Sequence, residues 1–69
     1  MATNFLSKCR QAENYALTHG AAMAVVHCGC NQYTVKNQTI AAGHYPHATR
    51  RVYFPDATHA DNAGFSLDA

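Results

Sequence analysis

The first twenty residues show the hydrophobic periodicity of an amphipathic helix. Four apolar side chains recur at spacings of three and four residues and so share one helical face: Phe5, Cys9, Ala12 and Ala16. We therefore predict a helix from Thr3 to Thr18, with Leu6 and Leu17 widening its apolar face on one side. Thr3 or Asn4 can cap the helix, because a short polar side chain there can accept a free N–H of the first turn.

Glu13 interrupts this face, since it lies between the apolar stripe and the flank formed by the two leucines. An unpaired carboxylate would be costly to bury there. We expect Glu13 to sit at the rim with its carboxylate in water. The alternative is an ion pair with Arg50, Arg51 or one of the histidines.

Alternation at every second residue predicts strands after the helix. In residues 22–28, the even-numbered residues would point to one face of the strand and the odd-numbered residues to the other. Both sets are largely apolar, which is typical of a central strand. Gly29-Cys30-Asn31 supplies a turn into a second strand over residues 32–36, which has one polar face. A third strand is predicted over residues 50–54, with Val52 and Phe54 on one face and Arg51 and Tyr53 on the other.

Residues 39–42 are predicted as a short further strand, and residues 43–49 as a loop. Together these elements indicate an α+β fold in which one N-terminal helix packs on a three- to four-stranded antiparallel sheet. We assign residues 1–55 to this compact domain and residues 56–69 to a polar, acidic, partly ordered C-terminal tail. The sheet face away from the helix receives little cover in this arrangement, which makes it a candidate contact surface.

The composition limits how large the core can be. Only thirteen of the 69 residues are Val, Ile, Leu, Met or Phe, and domains with so little apolar bulk usually gain stability from a metal, a disulfide or a partner. This shortage leads us to expect self-association, with a homodimer as the simplest form. The net charge is only +1, with all five basic residues before residue 55 and three of the four acidic residues after it.

The sequence favours a cytoplasmic protein. Three cysteines, an odd number, do not suit a secreted disulfide framework. Neither a basic, apolar leader nor an apolar run long enough to cross a bilayer is visible, so no membrane partner is expected.

One constellation has some of the character of a zinc site. Cys28, Cys30, His44 and His47 offer two thiolates and two imidazoles, and a bound zinc ion would support the small core. The spacing is unfavourable, because one residue separates the cysteines and two separate the histidines. We therefore predict no cofactor and no metal, and keep zinc as the alternative.

Neither catalysis nor direct nucleic-acid binding is favoured. A cysteine beside a histidine could form a thiolate pair, but no residue pattern suggests an oriented base or an oxyanion hole, so no catalytic residue is assigned. Arg50 and Arg51 with nearby aromatic residues could stack bases, yet the net charge is small for a phosphate-binding domain.

The remaining hypothesis is a non-catalytic protein-binding module that occupies the surface of another protein or of a protein–nucleic-acid complex. Compact inhibitors of the anti-CRISPR type, made by phages and other mobile elements, are one setting for such a module. The predicted contact residues are the following: Arg50, Arg51, Tyr53, Tyr33 and Lys36. Arginine is the strongest candidate, because its planar guanidinium pairs well with carboxylates. The alternative function is a zinc-stabilised small domain that contacts nucleic acid.

Overall fold

The computed structural model describes residues 4–29 and 32–61, and it confirms the α+β class. The elements follow in this order along the chain: α1 (Phe5–His19), β1 (Met23–Gly29), β2 (Gln32–Asn37), α2 (Gln38–His44), β3 (Thr49–Tyr53) and β4 (His59–Asp61). The strands form one antiparallel sheet in the order β2-β1-β3-β4. α1 covers one face of this sheet and α2 covers part of the other.

The predicted core face of α1 is confirmed. Its four members are all buried: Phe5, Cys9, Ala12 and Ala16. The two alanines are completely covered, so the helix backbone lies close to the sheet, where Val25 of β1 occupies the centre of the core. The predicted contribution of Leu6 and Leu17 is wrong, because their side chains are 71% and 51% exposed. Both project about a quarter-turn away from the buried stripe, beyond the reach of the sheet.

The two ends of α1 are fixed in different ways. Gly20 adopts the left-handed conformation at φ 65°, and its N–H donates to the carbonyl of Ala16. Asn4 precedes the first turn but makes no side-chain capping bond. Its amide instead joins the backbone of Tyr33 in β2, so the prediction of a local cap by Asn4 is wrong. Thr3 lies outside the described residues.

The strand register divides the side chains cleanly between the two faces. Val25 of β1 lies between Val35 of β2 and Arg51 of β3 on the face under α1. One residue earlier in β1, Ala24 lies between Lys36 and Val52 on the opposite face. A register shift between Val25 and Val26 leaves Arg50 as the extra residue of a bulge in β3.

The predicted strand over residues 39–42 is wrong, because this segment is part of α2. Asn37 accepts a hydrogen bond from the N–H of Thr39 through its side chain, which stabilises the first turn. Ala41 and Ala42 continue the helix, since alanine has the highest helix propensity. Ala41 is buried against Ala24 and Val26, so α2 covers part of the face that was expected to be open.

The fourth strand comes from the segment that follows residue 55. β4 pairs with β3 after a turn in which the N–H of Phe54 donates to the carbonyl of Thr58. Ala57 takes a positive φ of 72° in this turn, and Asp56 accepts from the backbone N–H of Thr58. The sheet therefore extends to Asp61. Phe65 and Leu67, whose apolar side chains could dock onto the domain, lie outside the described residues.

Candidate partner-binding site

Three of the five predicted contact residues lie on the face that α1 covers. Tyr53 is a core residue with 7% of its surface exposed. Tyr33 packs on the core and its ring meets the ring of Phe5 edge to face, with centroids 4.9 Å apart. Arg51 contacts the same core from β3. Tyr53 is thus closed to a partner, whereas Arg51 and Tyr33 are partly exposed.

The guanidinium of Arg51 contacts four side chains: Asp61, Tyr53, Cys9 and Phe5. Its guanidinium makes a bidentate pair with Asp61 on β4, with Nη2 donating to Oδ2 at 3.3 Å. Nη1 donates to the hydroxyl of Tyr53 at 3.2 Å and lies 3.9 Å from the Sγ atom of Cys9. The guanidinium carbon also lies 5.4 Å from the centre of the Phe5 ring. This network ties β3, β4 and α1 together.

The pKa values of this network follow from those contacts. The hydrogen bond with Asp61 raises the pKa of Arg51, and the same bond lowers the pKa of Asp61. Burial raises the pKa of the Cys9 thiol and that of the Tyr53 hydroxyl. The buried thiol of Cys9 therefore stays protonated at neutral pH, whereas a nucleophilic cysteine reacts as the thiolate.

The opposite face of the sheet carries an open groove between α2 and the β3–β4 hairpin. Its volume is about 380 Å³. The lining is mainly apolar, and six residues supply most of it: Ala41, Ala42, Pro46, Val52, Phe54 and Ala60. Phe54 remains 36% exposed although it lies beside apolar neighbours. An exposed concavity lined by apolar side chains is typical of a surface that another molecule covers.

The other two predicted contact residues, Arg50 and Lys36, do not line this groove. Arg50 directly follows Thr49, which lines the groove, and its Nη1 donates to the carbonyl of His47 at 3.3 Å. This hydrogen bond places the guanidinium of Arg50 beside the loop between α2 and β3. Lys36 lies on the same face of the sheet, in the row of Ala24 and Val52, but on β2 at the opposite edge.

The proposed zinc ligands are only partly described. Cys28 is an exposed, free thiol at the end of β1, and His44 and His47 are exposed at the end of α2 and in the loop that follows. Cys30 lies outside the described residues. Within residues 4–29 and 32–61, no three metal-binding side chains lie close enough together to hold an ion.

The groove could not be found from the sequence, because one of its walls is α2. Val52 and Phe54 were predicted to share one face and both line the groove, although β3 ends at Tyr53. Nothing in the sequence around Ala42 and Pro46 indicates that these residues line a binding groove. They form a wall only because residues 38–44 fold as a helix over the sheet.

Comparison of the chain with protein-family models, curated proteins and solved structures finds no match in any of the three. Neither helix of the described segments combines the length and the apolar character needed to cross a bilayer.

Proposed function

We propose that the chain is a small, non-catalytic protein-binding module that acts by occupying a partner's surface through the groove between α2 and the β3–β4 hairpin. The observation that supports this proposal is the exposure of Phe54 at the edge of a mainly apolar groove. A side chain of this size contributes strongly to binding when a partner excludes water from it.

The lining indicates the chemistry of the partner. The apolar lining residues offer close contact to apolar side chains, and Gln38, Thr49 and Asp61 add polar groups to the lining, so the groove suits a protruding aliphatic or aromatic segment of another protein. Arg50, whose guanidinium lies beside the loop between α2 and β3, favours a carboxylate next to that segment. The partner is another protein, alone or within a protein–nucleic-acid complex.

The five residues predicted from sequence take two roles in this proposal. Arg50 contributes directly to the contact, and Lys36 adds positive charge on the same face. Arg51 and Tyr53 act from beneath α1, where Arg51 links β3 to β4 and so supports the strands that form the groove floor. Tyr33 packs on Phe5 from β2 and supports the same core.

A compact inhibitor of the anti-CRISPR type, carried by a phage or another mobile element, is the setting we propose. A non-catalytic module would block a larger complex by covering part of its surface. The free thiols of Cys9 and Cys28 are compatible with action in the cytoplasm.

Photo-cross-linking in the cell that makes the protein tests this proposal. A photoreactive amino acid is placed at Phe54 in the groove or, as the matched control, at Ile40. Ile40 is 47% exposed on α2 but does not line the groove. We expect a discrete protein adduct from position 54 that is absent or much weaker from position 40. Equal adducts at both positions, or an adduct with nucleic acid alone, would contradict the proposal.

A further inference from the structure

We infer that α1 carries a contact surface for a second copy of the same chain, on the flank that lies about a quarter-turn from its buried face. Leu6, Arg10, Glu13 and Leu17 follow one another at spacings of four, three and four residues, so they line up along one side of the helix. We call this set the outer stripe. The two leucines are largely exposed, Arg10 is exposed and Glu13 is half-buried.

The outer stripe of one chain is complementary to the outer stripe of a second chain that runs in the opposite direction. A two-fold axis through its midpoint brings two α1 helices together in antiparallel orientation. Leu6 of one copy then faces Leu17 of the other, and Arg10 faces Glu13, twice each by symmetry. A single exposed leucine needs no explanation. Two leucines placed symmetrically around an arginine and a glutamate form a pattern in which every residue meets a suitable counterpart.

Charge complementarity identifies the occupant as a second copy. Neither Arg10 nor Glu13 has an ion-pair partner within the described residues, where Arg51 and Asp61 form the ion pair. Packing against another copy would give each of these charges a partner of opposite sign and remove both leucines from water.

The size of the stripe predicts a weak dimer. Leu6 and Leu17 are about 16 Å apart along the axis at about 1.5 Å per residue. Two helices touching over that length bury less than the roughly 1,600 Å² of a standard stable interface. The complex should therefore dissociate on dilution.

The dimer and the proposed groove do not compete. α1 covers the face of Val25 and α2 covers the face of Ala24, which are opposite faces of the sheet. A dimer through α1 would thus present two grooves. The inference about α1 does not depend on what the groove binds.

Charge reversal combined with sedimentation velocity tests the inference. The wild-type chain should show a monomer–dimer equilibrium as its concentration rises. Arg10→Glu and Glu13→Arg should each weaken the dimer by about tenfold, because each single change brings like charges together at both symmetric contacts. Both substitutions keep strong helix formers at surface positions, and circular dichroism checks that the fold is retained.

A mixture of the two single variants provides the decisive measurement. The R10E chain carries two glutamates on its stripe and the E13R chain carries two arginines. Every charge of one chain therefore meets an opposite charge of the other in the mixed dimer, and association should return to the wild-type level. The double variant R10E/E13R should also self-associate like the wild type.

Two results would overturn the inference. One is a wild-type chain that stays monomeric at every concentration. The other is a dimer that is indifferent to both charge reversals, since its interface would then lie elsewhere.

Discussion

Asn4 and Tyr33, 29 residues apart in the chain, are joined by two hydrogen bonds between the side-chain amide of Asn4 and the backbone of Tyr33. Nδ2 of Asn4 donates to the carbonyl of Tyr33 at 3.1 Å, and the N–H of Tyr33 donates to Oδ1 of Asn4 at 2.7 Å. β2 is an edge strand, so this N–H and this carbonyl have no neighbouring strand to pair with. The amide of Asn4 takes the place of that strand and attaches the start of α1 to the sheet.

Replacing Asn4 by alanine removes both hydrogen bonds. We expect Asn4→Ala to lower the free energy of unfolding by about 1–2 kcal/mol, because each net hydrogen bond contributes about 1 kcal/mol. Urea denaturation measures the loss. Asn14→Ala, an exposed change on the same helix, serves as the control and should leave the stability within about 0.5 kcal/mol of the wild type. Equal stabilities of the two variants would show that the contact is unimportant.

Arg51 should contribute more to stability than its ion pair alone. Arg51→Ala removes the contacts with Phe5 and Tyr53 as well as the pair with Asp61, and should cost about 2 kcal/mol. Asp61→Ala breaks only the pair, in which the carboxylate side chain is 43% exposed, and should cost less than about 1 kcal/mol. Thermal and urea unfolding of both variants tests the order. Losses of equal size at positions 51 and 61 would contradict the account.

The fold should lose stability in acid partly through Asp61. Its pKa is lowered by the hydrogen bond from Arg51, so its contribution is complete above the ordinary aspartate value of 3.8 and is lost as the pH falls through the lowered pKa. The pKa of Asp56 is lowered in the same sense by its hydrogen bonds with Thr58. As the pH is lowered below about 4, the midpoint of unfolding should therefore fall less steeply in Asp61→Asn than in the wild type. An unchanged slope would show that the Asp61 pair does not influence folding.

The cysteines should differ sharply in reactivity. Cys9 is buried with a raised pKa, whereas Cys28 is exposed. A chain that keeps only Cys9 should react with a thiol reagent at least about a hundredfold more slowly than a chain that keeps only Cys28, until denaturant is added. The double serine variants C28S/C30S and C9S/C30S allow this comparison. Rapid modification of Cys9 in the folded protein would show that α1 does not cover it.

The sequence predicted those parts of the fold whose pattern is strong. The spacing of Phe5, Cys9, Ala12 and Ala16 defined α1 because an apolar helical face is readable from its period. The alternation of Val52 with Arg51 and Tyr53 defined β3 and correctly separated its two faces. These apolar residues of α1 and β3 pack in the core of the same chain, so the hydrophobic pattern in the sequence matches the packing in the structure.

The rest depended on tertiary contacts that short segments do not reveal. Residues 39–42 were predicted as a strand that follows a tight turn, but the cap by Asn37 and the packing of Ala41 on β1 make the segment helical. β4 shows no alternating pattern and forms because it pairs with β3, where Asp61 meets Arg51. The groove depends on both elements, so it could not be predicted before either was known.

The central claim is that the groove beside α2 is the surface that binds a partner protein. Its most direct test uses the partner that cross-linking identifies, purified without the cross-link. Calorimetry measures the affinity of this partner for three forms of the chain: wild type, Phe54→Ala and Ile40→Ala. Both alanine variants remove one exposed apolar side chain, but only Phe54 lines the groove. The account predicts that Phe54→Ala weakens binding at least about tenfold while Ile40→Ala stays within about twofold of the wild type. Equal affinity of Phe54→Ala and the wild type, with the fold intact, would contradict it.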